Sequence, residues 1–174
     1  MVAVEQTPYP AIFCKIDDML GGVMGRCVGQ DEISLLHAGQ IPVGCAVCYE
    51  SVYGEDYTDY VRKGARAMTI ITNDAWWGNT PGYRQHLSYA SLRAIETRRA
   101  IARCANTGIS AIISRDGKIL QPTPWWEQAV ISSSIPLRED ITFYVSHGDI
   151  TGRICTFLFI LLLLAIVVRG TTER

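Results

Sequence analysis

The chain has little charge and no excess of either sign. Its 174 residues carry 16 Lys and Arg against 17 Asp and Glu, a formal net charge of -1, and charged residues make up 19% of the total. No long block of one sign occurs. Proteins that bind nucleic acid through bulk electrostatics need an excess of basic residues, so the composition argues against a nucleic-acid partner.

Internal repeats and low-complexity tracts are also missing. The first ten residues have neither the basic start nor the apolar stretch of a secretory signal. With 48% hydrophobic residues, the chain is too apolar to be disordered and too mixed for a bundle of membrane helices. Its length fits one ordinary domain, or a domain with an appendage.

The six cysteines show no regular spacing, which argues against a disulfide framework in a chain long enough to bury its own core. One pair, Cys45-x-x-Cys48, has the spacing of a redox or zinc motif. It ends an apolar run, Ile41–Val47, that predicts a buried strand, and strand alternation places residues three apart on opposite faces. We therefore expect no metal or cofactor at this pair, and a dithiol redox protein is the less favoured alternative.

From Ile41 onward the pattern predicts alternating strands and helices, which implies a layered α/β sandwich. The predicted helices cover residues 54–63 and 83–99, with a loop over residues 73–82 between them. The predicted strands cover Ile41–Val47, Ala67–Thr72, Ile101–Ala105, and residues 109–114, 118–120 and 129–137. In the second helix, His86 and Arg93 fall on the side that is expected to face water.

Residues 154–168 form a run without any charge, bracketed by Arg153 and Arg169. As a helix this run spans roughly 22 Å, short of the roughly 30 Å hydrocarbon core of a bilayer, but the two arginines can reach the interfaces. A helix that is apolar on every side lies in lipid or in the core of a large protein. The run therefore predicts a membrane helix, with a buried core helix as the alternative. The orientation of this helix across the membrane is weakly determined, because the numbers of basic residues at its two ends are nearly equal.

Cys48 directly follows the predicted strand Ile41–Val47 and precedes a predicted helix. A residue at such a sharp turn lies above the edge of the sheet, where backbone N–H groups can face a developing oxyanion. Cysteine is strongly nucleophilic at neutral pH once a base or a positive charge favours its thiolate. Cys48 is therefore a candidate nucleophile, and an inert buried thiol is the alternative.

Two tryptophan pairs fall in predicted loops, Trp76 with Trp77 and Trp125 with Trp126. Such pairs are typical of a ligand lid or of a surface that enters lipid headgroups, and the alternative is that they pack onto the sheet. His86 could act as a base, but its position near a helix start favours a solvated or capping role.

Several segments resemble the apolipoprotein N-acyltransferases of the nitrilase, or carbon–nitrogen hydrolase, superfamily. The resemblance is carried by residues 48–55, the Asn73-Asp74-Ala75-Trp76-Trp77-Gly78 loop, Gln85-His86, residues 103–110 and the final apolar run. It covers nearly the whole chain and is strongest to the C-terminal portion of Bacteroidetes-type members. It implies the C-terminal half of a nitrilase-type α-β-β-α sandwich over residues 1–150, a transmembrane helix over residues 151–170 and a short tail over residues 171–174.

The resemblance also implies a reaction. A cysteine thiolate takes an acyl chain from a phospholipid, with phosphatidylethanolamine the expected donor, and the amino group of a lipoprotein's N-terminal diacylglyceryl-cysteine attacks the resulting thioester. The matching positions are a nucleophile, Cys48; a supporting glutamate, Glu5; active-site neighbours, Tyr49 and Glu50; and a lipid-entrance loop, Trp76 and Trp77. The resemblance places the domain on the periplasmic side of a bacterial inner membrane, in contact with membrane lipid and without a cofactor.

Two departures from the family bear on what the chain does alone. The family's general-base glutamate and its oxyanion-stabilising lysine both precede the position of Glu5, and no lysine precedes Glu5 here. We therefore expect a fragment that begins just after the catalytic lysine and is by itself a poor or inactive catalyst, since losing one oxyanion donor commonly costs about a hundredfold in rate. A nitrilase-type amidase and an inactive membrane-anchored remnant are the alternatives.

Overall fold

One five-stranded sheet organises the chain in the computed structural model, which describes residues 32–172 together with Lys15 and Met19. The strands lie side by side in chain order: β1 (Leu36–Ala38), β2 (Ile41–Val47), β3 (Ala67–Thr72), β4 (Ile101–Ala105) and β5 (Ala111–Ile113). The central strands β2, β3 and β4 are parallel, whereas β1 and β5 pair antiparallel at the two edges. Glu5 lies outside the described residues.

Within residues 32–172, four helices accompany the sheet: α1 (Gly54–Arg62), α2 (Gly82–Thr97), α3 (Phe143–His147) and α4 (Ile150–Thr172). Two short 3-10 helices follow strands, Cys48–Val52 after β2 (the Cys48 turn) and Asp74–Trp77 after β3 (the tryptophan turn). Helix α1 connects β2 to β3, and α2 connects β3 to β4. Because such crossovers are right-handed and the strands advance in one direction, both helices pack on the same face of the sheet.

The apolar core lies between that face and the helices. Its fully buried members come from every layer: Ala46, Met68, Ile70 and Ile101 from the strands, Tyr57, Val61, Ala90 and Ala94 from α1 and α2, and Val145 from α3. The opposite face of the sheet exposes Val47, Ile71 and Cys104, which are direct neighbours in the strand register. Among the described residues the architecture is thus one sheet with helices on one side, which agrees with the predicted half of an α-β-β-α sandwich.

The central elements match the sequence predictions closely. Strands β2, β3 and β4 have the predicted bounds, and α1 ends one residue before its predicted end. Helix α2 ends at Thr97 because Arg98 adopts a left-handed backbone conformation, with φ of 53°. Strand β1 was not predicted; it pairs with β2 through a tight turn in which Gly39 has φ of 64°.

The predicted strand over residues 129–137 is wrong. That segment has no regular secondary structure, and Val130 is 95% exposed. The segment is rich in apolar residues, but it joins no ladder of the described sheet, in which β5 is an edge strand. The strand predicted over residues 109–114 shortens to β5, and that predicted over residues 118–120 reduces to a single bridge between Ile113 and Ile119.

Arg93 also departs from its prediction, because its side chain is buried rather than facing water. Its guanidinium forms an ion pair with Glu96 at 3.2 Å and donates to the carbonyl oxygen of Val52 at 3.4 Å. Helix α2 packs against the Cys48 turn and α1 as well as against the sheet. More than one side of the helix is therefore covered. A single buried face, which the sequence pattern predicts for this helix, would place Arg93 in water.

Helix α4 is longer than the predicted apolar run. Its 23 residues span roughly 34 Å at 1.5 Å per residue, enough to cross a bilayer core of roughly 30 Å. In the described part of the chain this is the one helix, over Ile150–Gly170, whose length and composition allow a membrane crossing. It starts beside α1, where Glu55 Oε1 accepts hydrogen bonds from the Asp149 backbone N–H and from Arg153 Nη2, each at 2.7 Å.

Candidate active site

Cys48 lies at the carboxyl end of β2 in a strained conformation. Its φ of 50° falls in the left-handed region, which non-glycine residues adopt at a cost of roughly 1–2 kcal/mol. Such strain persists only where the surrounding structure enforces it, and it is concentrated at functional sites. The sharp turn between strand and helix that the sequence indicated is therefore present, and Cys48 is the residue that makes it.

The sulfur of Cys48 faces the neighbouring strand. Thr72, the last residue of β3, donates a hydrogen bond from Oγ1 to Cys48 Sγ at 3.3 Å. The same hydroxyl lies 3.1 Å from Asp74 Oδ1. A hydroxyl has one proton, so the thiol and the carboxylate share a single donor. The parallel pairing of β2 with β3 brings the two strand ends together at one edge of the sheet.

A buried charged network lies beneath the Cys48 turn. Asp74 is 1% exposed and His86 is 2% exposed, and their side chains meet at 2.9 Å between Oδ1 and Nδ1. Arg103, also buried, donates from Nη2 to Asp74 Oδ2 at 2.8 Å and from Nη1 to the Ile109 carbonyl oxygen. The three residues come from the tryptophan turn, α2 and β4, so only the folded chain assembles them.

The expectation that His86 is solvated or caps a helix is wrong. Its Nε2 lies 3.2 Å from the carbonyl oxygen of Cys48 and 3.3 Å from Ser51 Oγ. Ser51 in turn donates to the same carbonyl oxygen at 2.8 Å. His86 therefore links the charged network to the backbone carbonyl of Cys48 and helps to fix the position of that residue. The sulfur of Cys48 contacts Thr72 instead of His86.

Asp74 remains ionised over the whole physiological range. Burial raises the pKa of this carboxyl group, but hydrogen bonds from His86 and Arg103 and the positive charge of Arg103 outweigh burial and lower the pKa to about 2. The carboxylate is thus a permanent acceptor for the histidine ring and the guanidinium. Gly108 packs directly over it, and an added Cβ at this position would collide with the Asp74 carboxylate.

Known proteins are similar to this chain in sequence and in fold. The carbon–nitrogen hydrolase family model matches residues 5–141. The chain belongs to the carbon–nitrogen hydrolase family. Its curated relatives include the apolipoprotein N-acyltransferase of Chlorobaculum tepidum, 37% identical over 95% of this chain, and that of Geobacter metallireducens, 34% identical over 87% of it. The chain spans 32% and 29% of those two proteins, about a third of their length.

A solved structure supports the fold. The carbon–nitrogen hydrolase from Helicobacter pylori superposes with a TM-score of 0.56 at 13% identity, over 76% of this chain and 50% of that one. At this identity the likeness concerns the fold alone. The resemblance stated from the sequence is confirmed: this carbon–nitrogen hydrolase chain has acyltransferases among its relatives and the expected half of the sandwich.

In this carbon–nitrogen hydrolase chain, the two residues after Cys48 brace the turn. The carboxylate of Glu50 accepts a hydrogen bond from the Val47 backbone N–H at 2.6 Å. The ring of Tyr49 lies between those of Trp77, at 6.2 Å, and His86, at 5.7 Å. Both positions therefore belong to the surroundings of the cysteine, and Tyr49 connects the Cys48 turn to the tryptophan turn.

Each tryptophan pair has one inward and one outward ring. Trp77 is half-buried against Tyr49, while Trp76 is 85% exposed. Trp125 stacks on Tyr83 at 5.4 Å, while Trp126 is 57% exposed. One ring of each pair therefore packs against a tyrosine and the other is exposed, with the rings of Trp125 and Trp126 5.2 Å apart.

Cys45, Cys48, Cys104 and Cys155 are free thiols. Within the described part of the chain, no group of three or more His, Cys, Asp and Glu side chains is placed to hold a metal ion.

Asp74 and Arg103 were missed as site residues, although both fall within segments that carry the family resemblance. A polar residue at a strand end reads as solvated unless its partners are known. The two partners of Asp74 are distant in sequence: His86 lies 12 residues from it and Arg103 lies 29 residues from it. One signal could have indicated a buried partner: Arg103 is the charged residue in the middle of the otherwise uncharged strand β4.

Proposed function

We propose that Cys48 is the acyl-accepting nucleophile of an apolipoprotein N-acyltransferase. Its thiolate attacks an ester carbonyl of a phospholipid, which forms a thioester and releases a lysophospholipid. The amino group of a lipoprotein's N-terminal diacylglyceryl-cysteine then attacks the thioester, forming an amide and returning the thiol. The observation that carries this proposal is the strained conformation of Cys48 at the end of β2, with its sulfur accepting a hydrogen bond from Thr72.

The turn supplies more than the sulfur. The peptide group between Cys48 and Tyr49 is held by the His86 and Ser51 contacts to the Cys48 carbonyl oxygen, and Glu50 holds the N–H of Val47 just before it. A fixed backbone N–H at this turn can stabilise the oxyanion of each tetrahedral intermediate without reorganising. The family resemblance assigns the general base and the oxyanion lysine to positions before Glu5, and we propose that turnover requires both.

A lipid acyl donor fits the position of the membrane helix. The Cys48 turn leads directly into α1, and Glu55 near the start of α1 holds the start of α4 through Asp149 and Arg153. An anchored helix at that place keeps the cysteine edge of the sheet close to the bilayer surface. We propose phosphatidylethanolamine as the donor and the periplasmic face of the inner membrane as the location.

The nucleophile is tested by intact mass spectrometry of the chain in detergent. An activated ester, p-nitrophenyl palmitate, needs no general base and reports the nucleophile directly. We expect one palmitoyl adduct that neutral hydroxylamine removes, that Cys48→Ser abolishes and that Cys104→Ser retains, since Cys104 is an exposed thiol on the open face of the sheet. An adduct that follows Cys104, or equal labelling of the free thiols, would contradict the assignment.

The donor and the acceptor are tested separately with phosphatidylethanolamine. The chain is assayed alone and together with the upstream portion of the Chlorobaculum tepidum relative, with an N-terminal diacylglyceryl-cysteine peptide as acceptor. We expect little or no thioester from the chain alone and N-acylated peptide from the pair. Release of free fatty acid with no peptide product would favour a hydrolase, and full activity of the chain alone would remove the requirement for the upstream residues.

A further inference from the structure

Both outward tryptophans lie at the same edge of the sheet as Cys48. Because β2, β3 and β4 are parallel, their carboxyl ends meet at one edge. Trp76 follows the end of β3 by four residues. Trp126 is far along the chain, but its backbone N–H donates to the carbonyl oxygen of Thr107 at 3.0 Å, and Thr107 follows the end of β4 by two residues.

The direction of each indole is fixed by its neighbour. Trp77 packs on Tyr49, and Trp125 stacks on Tyr83, so the inward ring of each pair anchors its loop. Trp126 itself has φ of 62°, a left-handed conformation that a bulky residue rarely adopts. The ring of Trp126 lies 5.2 Å from that of Trp125 and is still 57% exposed, so the fold holds it at the surface in a strained backbone conformation.

The membrane helix begins at this same edge. Glu55 lies in the first turn of α1, just after the Cys48 turn, and it bonds both the Asp149 N–H and the Arg153 guanidinium at the start of α4. The exposed indoles and the entry of the apolar helix are therefore features of one side of the molecule. Tryptophan prefers the headgroup layer, where its ring is half-solvated and its N–H finds a polar partner.

We propose that Trp126, together with Trp76, forms an indole rim that lies in the headgroup layer of a lipid bilayer beside the Cys48 turn. The proposal rests on the proposed function in one respect, that α4 crosses that bilayer. The partner is a lipid surface, and a second copy of the chain or another protein segment is the outcome that would replace it. The rim would hold the sheet edge against the membrane at a second place, away from the start of α4.

Trp125 provides a matched control, since it is adjacent to Trp126 and points inward. The full chain is reconstituted into phosphatidylcholine–phosphatidylethanolamine nanodiscs carrying a doxyl quencher either near the headgroup or deep in the acyl chains. With the shallow quencher, we expect Trp126→Phe to remove roughly half of the quenchable emission, because Trp126 is one of two exposed indoles at the interface. Trp125→Phe should leave the quenchable emission unchanged while it lowers the total emission, and the deep quencher should have several-fold less effect.

A pair of single-tryptophan chains gives a second measurement. One retains Trp126 and the other retains Trp125, with the remaining three tryptophans replaced by Phe. Emission from Trp126 that ignores the shallow quencher but responds to aqueous acrylamide would place the ring in water and overturn the proposal. Emission that ignores both agents would place Trp126 under protein, which overturns it equally. Acylation of Cys48 is measured apart from these spectra, so a failed transferase assay with normal quenching would leave the rim standing.

Discussion

Replacing Asp74 with Asn tests the buried network that supports Cys48. The change keeps the shape of the side chain but removes the negative charge that faces His86 and Arg103. The native pKa of Asp74 is about 2, against an ordinary value of 3.8. A difference of roughly two pKa units corresponds to ~2–3 kcal/mol of stabilisation at neutral pH, at about 1.4 kcal/mol per unit.

Arg103 makes the expected loss larger. Its guanidinium is completely buried, and removing one member of a buried ion pair costs about 3–5 kcal/mol because the other charge stays without a partner. For Asp74→Asn we therefore expect a loss of about 3 kcal/mol in the free energy of unfolding. For a chain of this size that corresponds to a fall of about 6–12 °C in Tm, measured by near-UV circular dichroism in mild detergent.

The pH dependence distinguishes lost charge from a packing defect. The native pKa of Asp74 is lowered, so its stabilisation is complete above the ordinary value of 3.8 and disappears as the pH falls towards 2. The gap in Tm between the wild type and Asp74→Asn should therefore narrow between pH 4 and pH 2. A hydrogen bond from Ser114 lowers the pKa of Asp116 as well, but that side chain is exposed to solvent, and Asp116→Asn should leave Tm unchanged.

Two results would refute this reasoning. One is an Asp74→Asn chain that melts within about 2 °C of the wild type at pH 7, less than the shift expected from even 1 kcal/mol. The other is a gap that stays constant down to pH 2, which would mean that the loss does not arise from the charge of Asp74.

Three further changes have definite expected outcomes. Gly108→Ala places a Cβ against the Asp74 carboxylate and should destabilise the fold by about 1–3 kcal/mol, read as a lower Tm. Thr72→Val removes the hydroxyl that donates to Cys48 Sγ, and the loss of about 1 kcal/mol should slow iodoacetamide alkylation of Cys48 roughly fivefold. Arg153→Ala breaks an exposed ion pair and should lower stability by less than about 1 kcal/mol.

Matched variants control the first two of these changes. Gly170→Ala adds a methyl group where no atom lies within 4 Å, and because Ala also favours the helix it should not lower Tm. Thr58→Val removes another buried hydroxyl, one that donates to the Glu55 carbonyl oxygen within α1, and it should not alter the alkylation rate of Cys48. If Thr58→Val slowed the reaction as much as Thr72→Val, the effect would be a general loosening of the fold.

Local sequence signals were sufficient for the elements around the site. The apolar run before Cys48 gave β2 its bounds, because strands of parallel sheets, which such folds cover on both faces, have a continuous apolar pattern. The uncharged run near the C-terminus indicated α4, because a continuous apolar run of this length is typical of a helix that is apolar on every side. The same signals failed over residues 129–137, whose apolar residues suggested a strand but which join no ladder of the described sheet.

The sequence by itself determined the strand and helix order, the place of Cys48 after a buried strand, and the apolar helix that follows the domain. Tertiary structure alone decided that His86, Asp74 and Arg103 meet beneath that cysteine, and that Trp126 joins Trp76 at its edge. The reason is physical. Hydrophobic periodicity reports the burial of apolar surface within one element, whereas a polar side chain is stabilised by partners that the fold brings from distant segments.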